Sequence, residues 1–381
     1  MSLYRSLGVD AKKEGTELFL SLLDADLVPF CPVGREGRET GLILHADGAG
    51  SKPQQSYLHW RETGDPSWFE GLAQDVLAMN VDDVVCVGPF HPLAFADYLT
   101  LNPRLLPKRE LLFHLVSGFR RALKELEALG LEIPFLGGET ADLPDQVRTL
   151  DLAGVLAARV RLPEVRKGER VKAGDLIVGL RSGGRTRYEK RENSGMMCNG
   201  ITLARHVLMR GEYTRKYPEL VDRGGYRGRF RFDDYLDELG MTVGEAILSP
   251  TRVFAPVVLR ILKRVGEGVK LMVHNTGGGL TKSLRVGKNL VYVKDRLPEP
   301  DPIFLLVQRE GRVEWREMYE VFNMGVGFEL VVDPEDVEEV VRVSEGFKLE
   351  AGVIGRCERG KGGNRVIIKS GTGKFEYGWR A

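Results

Sequence analysis

Asp47, Gly48, Gly50, Ser51 and Lys52 stand together in the segment His45-Ala-Asp-Gly-Ala-Gly-Ser-Lys52. Two glycines let a backbone turn sharply and aim its N–H groups at an anion, and Ser51 and Lys52 add further donors. Asp47 is a hard oxygen ligand that could hold magnesium. The composition is that of a phosphate loop, although the GxxxxGK(S/T) pattern occurs nowhere in the chain. A glycine-rich hairpin with a solvated lysine has the same composition.

A second segment, Gln74 to Asp83, carries Asp75, Asn80 and the adjacent pair Asp82 and Asp83. Two acids entering an apolar run suit a cation, and capping and turn formation use the same residue types. Leu136-Gly-Gly-Glu-Thr-Ala-Asp142 leaves an apolar stretch into Gly137 and Gly138 and presents Glu139, a further candidate metal ligand, and Thr140. His274-Asn-Thr-Gly-Gly-Gly-Leu280 places Gly277, Gly278 and Gly279 where a ligand phosphate could approach a helix start. His274 could orient or protonate a substrate group, or be a structural histidine. Phe322-Asn-Met-Gly-Val-Gly327 is the fifth glycine cluster.

The elements that must position these residues follow from periodicity. Residues 41–45 form a strand entering a turn at 46–50, 68–79 have helical spacing, and 81–87 return as a strand. Strands are expected at 93–101, 133–136 and 146–160, and a strongly amphipathic helix over 108–130 with Gly130 at its stop. The charged, proline-interrupted stretch 161–175 suggests a boundary between a domain of residues 1–165 and one of residues 166–381. Beyond it come strands at 176–180, 269–274, 326–332 and 349–357, and helices near 200–209, 252–264, after Gly279 and over 334–347. A Gly/Arg-rich excursion at 221–231 interrupts this half, and a Gly/Lys-rich tail around one short strand follows residue 360. Strands alternating with helices in both halves indicate an α/β (α+β) protein of two domains.

Bulk composition narrows the class. Lys+Arg of 55 against Asp+Glu of 54 gives a net charge of +1, so no global field draws the chain to nucleic acid or to an anionic membrane. Its 46 glycines in 381 residues are the outlier, about 12% against a typical ~7%. Four scattered cysteines form no CxxC and are expected to be reduced. The N-terminal residues show no basic-then-apolar leader, and no stretch approaches the ~18 apolar residues of a membrane span. Cytoplasmic residence, without membrane or nucleic-acid partners, is expected.

Taken in order and spacing, the segments resemble one family, the phosphoribosylformylglycinamidine cyclo-ligases, also called aminoimidazole ribonucleotide (AIR) synthetases. The matching stretches are Asp47–Lys52, Asp75–Asp83, Gly137–Ala141, Cys198-Asn199-Gly200, Pro250-Thr251-Arg252, His274–Gly279 and Phe322–Gly327. The resemblance implies ATP-dependent closure of the imidazole ring in purine biosynthesis, with ATP and magnesium as cofactors and a small nucleotide as substrate. It implies an N-terminal sheet that joins its twin in a homodimer barrel, and a C-terminal α/β domain across a cleft. Carried residue by residue, it puts Asp47, Asp75, Asp83 and Glu139 on the metal. Lys52 and the Gly48 and Gly50 amides fall on phosphate, and Ser51, Asn80, Gly137, Gly138 and Thr140 around the nucleotide. Asn199, Thr251, Arg252 and Gly277–Gly279 fall on the substrate, with Arg252 on its ribose phosphate and His274, Asp83 and Lys52 nearest the chemistry.

The chain departs from the family pattern in several places. Only residues 31–41 stand where a long glycine-rich segment usually precedes the loop, Ser51 replaces the usual threonine, and Asp82 replaces a common asparagine. Asn275 also varies a usual position, and the 221–231 excursion and the tail have no assigned counterpart. Other ATP-dependent enzymes of the same superfamily, or a nucleotide-binding paralogue without catalysis, are the alternatives.

Overall fold

The computed structural model describes residues 2–9, 18, 22, 23, 25, 30–222 and 224–378. Two sheets organise it. The first has five strands, β1 (Gly34–Arg35), β2 (Thr40–Gly48), β3 (Phe90–Leu101), β4 (Phe135–Asp142) and β5 (Leu150–Arg161), in the order β1-β2-β5-β3-β4. All pairs are antiparallel except β3 with β4.

Helices α1 (Lys52–Thr63), α2 (Gly71–Val85) and α3 (Lys108–Ala128) accompany this sheet. On α3, Leu111, Leu115, Phe119, Ala122 and Leu126 are buried at helical spacing, as expected, and Gly130 at φ +87° ends the element. α2 departs from expectation. Residues 81–87 do not return as a strand, because α2 runs unbroken through Asp82 and Asp83 and is buried on nearly every side. A helix buried all round carries an apolar run that periodicity alone cannot tell from a strand.

β4 is likewise shifted from expectation, so that Gly137 to Asp142 lie inside the strand rather than after it. β2 continues through Gly48 before the loop Ala49–Ser51 leads into α1, a helix not anticipated. On the outer face of the sheet Leu44, Tyr98, Val155 and Leu136 are exposed.

The second sheet comprises β6 (Leu176–Arg181), β7 (Val269–His274), β8 (Leu290–Lys294), β9 (Val326–Val332), β10 (Ala351–Arg359), β11 (Arg365–Ser370) and β12 (Gly373–Gly378). Their order is β7-β9-β6-β10-β8-β11-β12. β7 and β9 are buried along their whole length and read accordingly as continuous apolar runs. Helices α4 (Ile201–Leu208), α5 (Ala255–Val265) and α6 (Val337–Gly346) belong to this half. The tail is not a loose appendage. Its residues form the β11/β12 hairpin, which pairs through β8 into the sheet and buries Val366, Ile368 and Tyr377.

The 221–231 stretch packs on α4 through buried Tyr226 and Phe230, Arg223 alone lying outside the described residues. No helix among the described residues is long and apolar enough to cross a membrane.

Candidate active site

Two periodicities assemble the centre. His45 and Asp47, two residues apart on β2, point from the same face of the strand, and Asn80 and Asp83, three apart on α2, share one side of the helix. α2 packs against β2, so the two pairs meet. One ligand atom from each of His45, Asp47 and Asp83 lies within 4.8 Å of the others. An imidazole nitrogen and two carboxylate oxygens at that separation suit a divalent cation.

Asp83 is buried and surrounded by donors. Its Oδ1 lies 2.9 Å from His274 Nδ1 and 3.3 Å from Lys282 Nζ, and its Oδ2 lies 3.5 Å from His45 Nε2. Burial alone would raise its carboxyl, but Lys282, His274 and His45 together hold it well below the usual carboxylate range. His274 is itself closed to solvent, and burial depresses its imidazole against the pull of Asp83. Its Nδ1 donates to Asp83, and its Nε2 has no hydrogen-bond partner among the described residues. It touches the acid rather than the cleft, which makes it a positioning residue.

The Gly277–Gly279 turn explains how Lys282 arrives. Gly278 at φ +100° and Gly279 at φ +49° tighten the exit from β7 into the short 3-10 segment Gly279–Arg285 that carries Lys282. A Cβ at Gly279 would stand 2.4 Å from the Phe322 carbonyl oxygen, so only glycine permits this approach.

A cleft of about 350 Å³ opens beside the centre, lined by Asp47, Gly48, Gly50, Met79, Cys198 and Asn199 among others. Gly50 takes φ +60°, and a Cβ there would press on the Cys198 carbonyl at 3.0 Å. Ser51 Oγ pairs with Thr202 Oγ1 at 2.9 Å, tying the loop to α4. Asn199 Oδ1 has no partner among the described residues. A larger cleft of about 590 Å³ near Arg187, Arg260 and Arg264 is lined by none of the residues singled out from sequence.

Several expected assignments change. Lys52 does not point at the cleft: its Nζ is closed to solvent, 2.6 Å from Asp75 Oδ1 and 2.6 Å from the Ser249 carbonyl. The same Asp75 oxygen accepts the Thr251 N–H at 2.8 Å and its hydroxyl at 2.7 Å. Lys52, Asp75 and Thr251 thus form a buried joint between the two halves, with Asp75 away from the metal grouping.

Arg252 is 1% exposed, and its guanidinium bonds Glu189 and the carbonyls of Arg181, Gly183 and Gly184. Those bonds occupy the guanidinium's donors, leaving none for a ribose phosphate. Asp82 does not join the metal grouping: its carboxylate accepts the Phe254 and Ala255 N–H groups at 2.7 to 3.0 Å and lies 4.0 Å from His274 Nε2, across the imidazole from Asp83. Glu139, with Gly137, Gly138 and Thr140, lies on the exposed edge strand β4. Gly138 is three strands from Asp47 by register, about 14 Å at the usual strand spacing. Within one chain Glu139 therefore does not join Asp47 and Asp83.

His45 and Lys282 were not anticipated. His45 was legible in principle, since the second residue before Asp47 in a strand must share its face; Lys282 carried no local signal.

Two family descriptions match the chain in order: AIR synthase related protein, N-terminal domain, over residues 26–160, and the corresponding C-terminal domain over residues 172–368. A phosphoribosylformylglycinamidine cyclo-ligase of Methanocaldococcus jannaschii is 35% identical over 331 residues, covering 86% of this chain and 82% of that protein. One of Carboxydothermus hydrogenoformans is 32% identical over 334 residues, covering 87% and 84%. Among solved structures, AaThiL complexed with AMPPCP and TMP superposes with a TM-score of 0.57 at 14% identity over 95% of both chains. The tt0281 protein of Thermus thermophilus does so with a TM-score of 0.51 at 20% identity over 94% and 97%. These structures share the two-domain α/β fold. With both halves matched in order and the clustered acids lying in the first of them, the chain belongs to the AIR synthase related protein family.

Proposed function

We propose that this protein is an ATP-dependent cyclo-ligase that converts formylglycinamidine ribonucleotide to AIR in de novo purine biosynthesis, releasing ADP and phosphate. The observation that carries this reading is the meeting of Asp47 and Asp83 beside a glycine loop at the mouth of a cleft, in a chain whose curated relatives bear that name.

Amide oxygen is a poor leaving group, so ring closure needs it activated. The γ-phosphoryl group of ATP passes to the formyl oxygen, and the ribosyl-bearing nitrogen attacks the same carbon and expels phosphate. Catalysis of phosphoryl transfer is largely positioning and charge stabilisation. The Gly50 amide and the N-terminus of α1 would cradle phosphate, whereas the expected Gly48 N–H is held by Asp47 Oδ1 at 2.7 Å, and Asn199 offers an unpaired carbonyl oxygen to the substrate. Asp47 and Asp83 would hold magnesium, which when bound neutralises triphosphate charge. His274 and Lys282 keep Asp83 ionised and oriented, and Asn80 positions the β2 backbone through its bond to the Asp47 carbonyl.

The uncovered outer face of the first sheet, with Leu44, Tyr98, Val155 and Leu136, supports a homodimer through this face. Gly137, Gly138, Glu139 and Thr140 on edge strand β4 would then reach a nucleotide only across that interface. Purified protein supplied with Mg·ATP and formylglycinamidine ribonucleotide should form AIR with one ADP per product. Nucleotide binding without turnover overturns the reading in favour of a non-catalytic paralogue.

A further inference from the structure

We propose that His45 is a direct ligand of the divalent ion, so that this centre takes a first-row transition ion such as Mn²⁺ more tightly than Mg²⁺. The inference rests on the reading above that Asp47 and Asp83 hold that ion.

The hydrogen-bond network fixes the imidazole. Asn80 Nδ2 donates to the Val76 carbonyl at 2.9 Å and to the Asp47 carbonyl at 3.2 Å. Its Oδ1 is thereby the atom facing His45 Nδ1, at 3.2 Å. An amide oxygen accepts only, so His45 Nδ1 carries the hydrogen, and Nε2 is the nitrogen turned toward Asp83 Oδ2 at 3.5 Å. The gap between Nε2 and Asp83 Oδ2 is filled either by a proton on Nε2, which makes the contact an ion pair, or by a metal ion that displaces that proton and takes the nitrogen lone pair. Asp47 supplies a third donor within 4.8 Å.

Asp83 is divided to match. His274 and Lys282 occupy Oδ1, which leaves Oδ2 to the side where His45 lies. A metal-bound imidazole characteristically donates its other N–H to a fixed acceptor, and Asn80 Oδ1 is that acceptor here. Donor chemistry then sets the preference. Mg²⁺ favours an all-oxygen shell and gives up water reluctantly, whereas an imidazole nitrogen raises affinity along the series from Mn²⁺ toward Cu²⁺.

The test is a Mn²⁺ titration of the full chain followed by EPR, without and with ATP. Bound Mn²⁺ should resist displacement by equimolar Mg²⁺ and show ¹⁴N coupling from a coordinated imidazole in pulsed EPR, changing to a ¹⁵N pattern in protein labelled with ¹⁵N-histidine. His45→Gln should retain bound Mn²⁺ without that coupling, and His274→Gln should retain the coupling. Asn80→Ser should weaken Mn²⁺ binding about 10- to 100-fold. Bound Mn²⁺ lacking nitrogen coupling, or coupling that survives His45→Gln or vanishes in His274→Gln, overturns the assignment of His45 while leaving Asp47 and Asp83 in place. Failure to bind Mn²⁺ under either condition overturns both readings. Should His45→Gln fail to fold, the labelled parent and His274→Gln decide the matter.

Discussion

Lys52 Nζ and Asp75 Oδ1 lie 2.6 Å apart with both side chains closed to solvent, one from the helix after the glycine loop and the other from α2. Removing one partner of such a pair strands a buried charge, at a cost of about 3 to 5 kcal/mol. Lys52→Met and Asp75→Leu should each lower stability by that order in chemical denaturation. The double substitution should recover much of the loss, because no isolated charge remains. Additive losses would show that the pair is not coupled.

Arg252 makes a related prediction. Its fixed fork serves Glu189 and three carbonyls at once, a geometry that lysine cannot reproduce. Arg252→Lys should destabilise the protein by about 2 to 4 kcal/mol while leaving KM for the ribonucleotide within a few-fold of the parent. A selective rise in KM at unchanged stability would return Arg252 to the ribose phosphate.

Asp83→Asn keeps the shape of the side chain and removes the charge that faces His45, His274 and Lys282. It should lower kcat by about 100-fold or more while the protein remains folded by circular dichroism. Near-parental turnover would remove Asp83 from the metal centre.

Acid should reveal His59. This ring packs edge-on to Trp68 and tilted against Phe232, at 4.3 and 4.6 Å between centroids, with neither nitrogen hydrogen-bonded among the described residues. Burial drives its pKa down from 6.5 to about 3. The folded chain keeps His59 neutral where the unfolded chain binds a proton. Its contribution to stability is therefore full above pH 6.5 and falls as pH drops toward 3, by about 1.4 kcal/mol per unit. His59→Phe should flatten that part of the stability profile in denaturant titrations from pH 7 to pH 4; an unchanged slope would show that His59 does not cause it.

Much of the site was legible before folding was considered. Asp47, Gly48, Gly50 and Asp83 stood out by residue type and order, although a glycine-rich hairpin and plain helix capping use the same residues; that Asp47 and Asp83 meet beside a cleft is what the fold adds. Helix α3 was equally plain, because a surface helix must alternate its faces. α2 was not, because an element buried on every side has no polar face to set its period. The tail was misread for a different reason: β12 pairs only with the adjacent β11, and β11 joins the sheet through β8, which lies far back in the chain, Val291 standing opposite Arg365.

By itself, then, the sequence determined which acids and glycines this protein has available and the family to which their order belongs. The tertiary structure decided which of them meet. Lys52 and Arg252 look like phosphate ligands in isolation, yet partners distant in sequence, Asp75, Ser249 and Glu189, bury their charges. His45, Asp83, His274 and Lys282 come from four separate segments and form one centre because α2 packs between the two halves. A cation in a protein goes to whichever anion or carbonyl the fold brings within reach, and local spacing does not encode that choice.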